Sequence, residues 1–299
     1  VTCDSGVEGW GEAWNNFPGW GSRDRILFIV NDLAPAIIGS DPLDRETTIR
    51  RIVARFTGIG HVWGALGVVY QAISAIDIAL WDIVAQAQGE PLWQVLGPGR
   101  QTRIKPYASG IDQQDLERRL EDLAGRGFEA FKIRAGFGAD RDVEAAGLTR
   151  RVLGDEVLLM VDANQAWSRD VAAVLCARLR EYGLAWIEEP LVADDLEGLV
   201  MLRDLTGVTV AAGENVYGRP LFEQLAARIP IVQPDVAKHG GLTAMLDLLR
   251  VARSNGKRLI PHCYGSAIAL AATLHFIAGC CDEPLLEMDA SDNPLVYDL

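Results

Sequence analysis

From Arg103 onward the chain has a repeating texture: short apolar runs alternate with segments whose apolar positions recur at helical spacing. The runs predict strands at roughly 104–109, 130–135, 158–163, 185–189, 208–213, 231–235, 258–262 and 284–288. Amphipathic stretches such as DLERRLEDLAGRG, VAAVLCARLREYG and TAMLDLLRVARSNG predict helices in the seven gaps. Eight strands in βα repeats of about 25 residues predict a parallel barrel. An open doubly wound sheet is the alternative, but no G-x-G-x-x-G loop follows the first strand. Residues 1–100 read differently. VEGWGEAW alternates like an antiparallel strand, and RDRILFIVNDLAPAIIG reads as a helix stopped at Gly39. GALGVVYQAISAIDIALWDIVAQAQG reads as a long apolar helix stopped at Gly89, and EPLWQVLGPG leads out. Two units are expected, 1–100 and 101–299. The opening VTCDSGVEGWGEAW starts mid-pattern, as though a strand preceded it.

Three apolar runs end in acid: LLMVDANQAW at Asp162, AWIEEP at Glu188 and VTVAAGEN at Glu214. In a parallel barrel all strand carboxyl ends meet around one pocket, with neighbours about 4.8 Å apart. Clustered carboxylates repel unless something compensates, and a divalent ion that prefers oxygen, such as Mg²⁺, does so. Helix caps or surface loops would explain any one of the three, but not all three at successive strand ends.

The other strand ends carry cations and a histidine. In FKIRAG, alternation puts Lys132 and Arg134 on one face, toward the mouth. QPDVAKHGG ends the sixth strand at Asp235, with Lys238 just beyond; LIPHCYG ends the seventh at His262; LLEMD ends the eighth at Glu287. A carboxylate on one ring nitrogen fixes the tautomer and raises the basicity of the other, so His262 beside Asp235 reads as a catalytic base. His275 reads as helix packing, while His61 and His239 are each open to substrate contact.

Composition narrows the partners. A net charge of −13 disfavours a phosphate backbone, so no nucleic-acid partner is expected. No apolar run reads as long enough to cross a membrane, and no signal-peptide pattern opens the chain. Five cysteines without metal or disulfide spacing suggest reduced thiols in a cytoplasm.

Together the stretches GWGEA, AISAIDIALWDI, FKIRAG, VDANQAW, WIEEP, GEN, PD…KHGG, PHCYGSAIALAA and LLEMD resemble the enolase superfamily, in its mandelate racemase-like subgroup. Asp162 and Glu188 are 26 residues apart, and Asp235 and His262 are 27, as in that pattern. The resemblance implies an α/β fold, a modified TIM barrel (β/α)₇β with an N-terminal α+β capping domain, incomplete in this chain. It implies Mg²⁺ on Asp162, Glu188 and Glu214, with Glu189 as a neighbour. It implies a His262–Asp235 dyad, Lys132 on the substrate carboxylate, Glu287 as a hydrogen-bond donor to it, and Asn164 lining the pocket. It also implies a homo-oligomer. A Lys or His base beside Mg²⁺ is a general trait of the superfamily.

The shared step is removal of a proton α to a carboxylate, which makes a doubly negative enediolate. One Mg²⁺ among three carboxylates leaves negative charge, which Lys132, Arg134 and Lys238 would turn positive. A racemase needs a base on each face, and the second cation of the K-x-K pattern is here Arg134, which does not give up its proton readily. One base suffices for dehydration of a hydroxylated carboxylic acid, and for β-elimination opening a sugar-acid lactone. An acid-sugar dehydratase is therefore expected. A cycloisomerase is the alternative, favoured by PLLEMDASDNPL and PHCYGSAIALAATLHFIA, which look like galactarolactone cycloisomerases. Racemisation comes third. A Schiff-base aldolase on Lys132 or Lys238 would need a lysine of lowered pKa, and a non-catalytic binding protein would not need the acid set and dyad.

Overall fold

The computed structural model describes residues 1–16, 18–291 and 293–297; Asp292 of the stretch PLLEMDASDNPL lies outside them. All eight expected strands form: β1 (Lys105–Ile111), β2 (Ala130–Arg134), β3 (Leu158–Asp162), β4 (Trp186–Glu188), β5 (Val210–Ala212), β6 (Ile231–Val232), β7 (Arg258–Leu259) and β8 (Leu285–Asp289). They make one curled parallel sheet in the order β7-β6-β5-β4-β3-β2-β1-β8, so β8 pairs back onto β1.

In the N-terminal unit, α1 (Ser22–Phe28) passes through a π-helical turn, Ile29–Leu33, into α2 (Ala34–Ile37). The expected single helix is thus widened just ahead of Pro35, which has no N–H and crowds the carbonyl one turn back. It ends at Gly39, whose φ is +81°. A further helix, α3 (Arg45–Trp63), is an addition to the expected elements; Ile49, Ile52 and Phe56 bury one of its faces. The long apolar helix is α4 (Leu66–Gln88), ended by left-handed Gly89 as expected. Its mean hydropathy is 1.6 over a window that is 83% buried inside the protein. The expectation that no run reaches membrane-crossing length is therefore corrected: α4 is long and apolar enough, but its apolar surface is spent on the core. Phe28, Ile52, Phe56, Ile73 and Leu80 form that core. The expected strand in VEGWGEAW is also corrected: only a Thr2–Glu8 bridge forms. Gly9 and Gly11 instead lie flat on α4, where a Cβ would stand 2.1 Å from the Ala79 carbonyl oxygen and 1.9 Å from that of Ala75.

After α5 (Leu92–Leu96), the strands are separated by α6 (Leu116–Gly125), α7 (Ala139–Leu153), α8 (Arg169–Leu179), α9 (Leu196–Thr206), α10 (Arg219–Arg228), α11 (Gly241–Ser254) and α12 (Ala267–Cys280); α13 (Pro294–Tyr297) follows β8. Inside the sheet, each strand or its immediate extension contributes one residue to a single buried layer: Tyr107, Ala130, Met160, Trp186, Ala211, Ile231, Ile260 and Leu285. Strand side chains alternate, so the residue two places on faces the same way, one layer higher. That next layer reads Ser109, Lys132, Asp162, Glu188, Gly213, Gln233, His262 and Glu287. The apolar runs end in polar residues because the barrel changes there from filled floor to chemical site.

Candidate active site

Register places the acids side by side. Arg134 pairs with Asp162 across β2 and β3, and Asp162 with Glu188 across β3 and β4. Glu214 lies just past β5, after Gly213 (φ +140°), where a Cβ would press to 2.9 Å on the Gln233 nitrogen. Asp235 and His262 face each other across a parallel bridge between the extensions of β6 and β7. His262 Nδ1 and Asp235 Oδ2 are 2.6 Å apart, and Nε2 points to Glu214 Oε2.

The cations sit among the acids. Lys132 is 2% exposed and donates to Glu188 Oε1 at 2.5 Å; it stands 2.7 Å from Glu287 Oε1 and 3.7 Å from Asp162 Oδ2. Burial opposes its charge, but Glu188 and Glu287 outweigh burial and raise its pKa well above the usual lysine value. Lys238 donates to Asn215 Oδ1 at 2.9 Å, stands over the Trp14 ring, and is likewise raised, Glu214 overcoming burial. Neither lysine has the lowered pKa that a Schiff-base mechanism requires. For His262 too, burial is overcome, chiefly by Glu214 and Glu287, and its pKa is raised well above the ordinary histidine value.

The remaining expected residues range from the rim to the heart of this centre. Arg134 lies at the rim, 3.2 Å from Asp112 and donating to the Tyr264 hydroxyl at 3.3 Å. Its pKa is raised despite burial, by Tyr264 and Asp112. Asn164 (φ +43°) is exposed and turned onto Asp162, its Nδ2 donating to Oδ2 at 3.1 Å. Glu287 departs from its expected donor role: it accepts from Ser109 Oγ at 2.6 Å, Tyr107 at 3.2 Å and the Cys263 N–H at 3.1 Å, besides Lys132. Lys132 and His262 overcome its burial and lower its pKa. His239 is no substrate contact either; its ring is buried against the carbonyls of Gly213 and Val216, and burial lowers its pKa to about 4. His275 packs as expected, accepting from the Trp93 N–H.

Sequence reasoning missed Ser109, Gln233 and Asn215. Gln233 donates to Glu188 Oε2 at 2.7 Å; Asn215 Nδ2 bridges Glu189 Oε2 at 2.8 Å and Glu214 Oε1 at 2.7 Å. The signal for the first two was their phase, two residues beyond the apolar floor.

Whether these residues suit a divalent cation can be tested on charge. Six carboxylates are buried here (Asp162, Glu188, Glu189, Glu214, Asp235 and Glu287) against Lys132, Lys238 and His262. The excess shows as two raised pKa values. Burial and then Glu188 push Asp162 up to about 7; burial and then Glu214 push Glu189 up to about 8. Glu189 Oε1 is buried without a partner, and Glu189 occupies a strained φ of +36°. A hard cation among these oxygens would relieve the excess, so the donor set fits Mg²⁺. As they stand, no three such side chains among the described residues converge tightly enough to hold an ion. Glu188 is turned to Lys132, Trp186 and Gln233, and Glu214 to His262 and Asn215.

An eight-stranded parallel barrel under a helical N-terminal unit, with acids and a His–Asp pair at the strand ends, defines an enzyme of the enolase type. Residues 115–299 match the family described as enolase C-terminal domain-like, and residues 1–97 the mandelate racemase / muconate lactonizing enzyme N-terminal domain. The chain belongs to the mandelate racemase-like branch of the enolase superfamily. It is 31% identical to a D-galactarolactone cycloisomerase of Agrobacterium fabrum, over 98% of this chain and 80% of that protein. It is 33% identical to an L-talarate/galactarate dehydratase of Salmonella typhimurium, over 99% and 73%. A solved mandelate racemase/muconate lactonizing enzyme of Bordetella bronchiseptica superposes with a TM-score of 0.93 at 37% identity, covering 100% of this chain and 84% of that one. A racemase of Streptomyces coelicolor, solved with bound magnesium, superposes at 0.86 and 29% identity, covering 100% and 86%.

Proposed function

We propose that this protein is a Mg²⁺-dependent lyase that removes the proton α to a carboxylate and dehydrates an acid sugar. The observation that carries this reading is the His262–Asp235 pair: one nitrogen anchored at 2.6 Å, the other aimed at the buried acids. Asp162, Glu188 and Glu214 would hold the metal, with Glu189 beside them. Bound there, Mg²⁺ would supply Lewis-acid stabilisation of the carboxylate as it gains charge. With Glu214 turned to the metal, His262 would lose the acid that most raises its pKa; neutral, it would take the α-proton at Nε2, while Asp235 keeps the proton on Nδ1 and steadies the imidazolium. Lys132, held by Glu188 and Glu287, donates to the substrate carboxylate. Imidazolium His262 then returns its proton to the departing β-hydroxyl. Lys238 and Asn164 contribute binding, Glu287 orients Lys132, and Arg134 binds at the rim.

The cycloisomerase reading is second; the Agrobacterium relative favours it, and the same base would open a lactone by β-elimination. Racemisation is third, because Arg134 keeps its proton. We further infer two units, 1–100 and 101–299, a small hydroxylated carboxylic acid as partner with neither nucleic acid nor membrane, a homo-oligomer, and a cytoplasmic setting in keeping with five free cysteines. Incubating acid sugars and their lactones with Mg²⁺ in D₂O separates the reactions by keto-acid formation, ring opening and deuterium uptake. The His262→Asn variant should lose α-proton exchange; exchange at the wild-type rate would overturn the reading.

A further inference from the structure

Two carboxylates outside the acid cluster have no part in this chemistry, yet both bind the barrel. Glu12, from GWGEAW, accepts from the Ser266 N–H at 3.0 Å, the Ala269 N–H at 3.0 Å and the Ser266 hydroxyl. These are the free donors at the start of α12, the helix that follows His262. Asp77, on α4, accepts from the Thr243 N–H at 2.9 Å and its hydroxyl at 2.5 Å, at the start of α11, the helix that follows Asp235. Beside it, Ser74 Oγ accepts from the N–H groups of Gly240 and Gly241 at 2.8 and 3.1 Å. A Cβ at Gly241 would stand 2.3 Å from Asp77, so KHGG requires glycine there. The chain between them ties the loops together: the Trp14 N–H donates to the Ala237 carbonyl at 3.2 Å, and Asn16 Nδ2 to the Tyr264 carbonyl at 3.0 Å.

We propose that Glu12 and Asp77 are positioning residues: by capping α12 and α11 from the N-terminal unit, they fix the relative placement of His262 and Asp235. This rests on the proposed role of that pair as the base. A pair displaced by about 1 Å loses on the order of 10²-fold in rate, whereas substrate binding through Lys132 is left intact.

The test uses the full chain with Glu12→Ala, Asp77→Ala and, as a control, Ile52→Ala, which destabilises the same unit without touching a barrel loop. The readouts are kcat and KM for α-proton exchange, and the far-downfield proton resonance of the His262–Asp235 hydrogen bond, assigned by its loss in His262→Asn. The expected result is a kcat lowered roughly 10–100-fold with KM nearly unchanged, and a resonance shifted or lost, in the two capping variants only. A resonance left in place, or a kcat loss matched by Ile52→Ala, overturns the proposal. Should an alanine variant not fold, Glu12→Gln and Asn16→Ala serve, the glutamine giving an intermediate loss because it keeps one acceptor oxygen. If the wild type acts on no acid sugar or lactone, the functional reading fails, and the resonance still decides the positioning claim.

Discussion

Replacing Lys132 by Met tests the electrostatic account most directly. The ammonium group is 2% exposed and stands 2.5 Å from Glu188 and 2.7 Å from Glu287. Methionine fills similar space but leaves both acids without their counter-charge. Removing one partner of a buried ion pair costs about 3–5 kcal/mol. Glu188 keeps Trp186 and Gln233 as donors and Glu287 keeps Ser109, which favours the lower end. At an unfolding entropy of about 2.1 cal/mol/K per residue, a chain of this length changes Tm by roughly 1.6 °C per kcal/mol, so the loss is about 5–8 °C. The assay is a thermal melt by circular dichroism in EDTA, repeated in Mg²⁺. The gap from wild type should narrow with the metal, which supplies part of the missing charge. Exchange of the α-proton should fall by about 10²–10³, the usual effect of losing one donor to a developing oxyanion. A variant melting within about 1 °C of wild type in EDTA would refute the claim that Lys132 neutralises the acid cluster.

Three further outcomes follow from the same geometry. Asp235→Asn should slow exchange by about 10²–10⁴ in a D₂O assay, since the amide no longer holds the right imidazole tautomer; an unchanged rate would exclude Asp235 as the anchor. Gly11→Ala should destabilise the N-terminal unit by about 1–3 kcal/mol or more in a urea titration, because its Cβ would stand 1.9 Å from the Ala75 carbonyl oxygen. Burial pushes the Asp77 carboxyl up to about 7, above its unfolded value, so its contribution to stability is full below about pH 4 and is lost as pH rises through about 7. The advantage of wild type over Asp77→Asn, read from urea midpoints, should shrink across that window by on the order of 4 kcal/mol; a constant difference would show that the group does not change ionisation on folding.

The barrel was legible in the sequence because parallel strands buried on both faces are nearly continuous apolar runs, and their ends are marked by a change of residue type. Strand starts and ends matched most closely at β2 and β3, where the expected runs begin at the same residue and end one residue later. GWGEA misled because its alternation arises from glycines lying against α4, a close approach that mimics the two-residue period of a strand. Glu287 stood out by position, but its ionisation depends on Lys132, Ser109 and Tyr107, which only the curled sheet gathers around it. The helix α3 carries β-branched Thr47, Thr48 and Ile49 in its first turns, which weakens its helical signal, although Ile49, Ile52 and Phe56 carry a helical period.

Asp235 and His262 are joined through the backbone of neighbouring strand extensions, while Arg134 finds its partners in Asp112 and Tyr264 at the rim. On the proposed reaction, proton transfer and substrate choice would thus be mounted on separate parts of the scaffold. On that reading, rim residues could be exchanged, and the repertoire of accepted molecules altered, without retuning the machinery that would break the C–H bond.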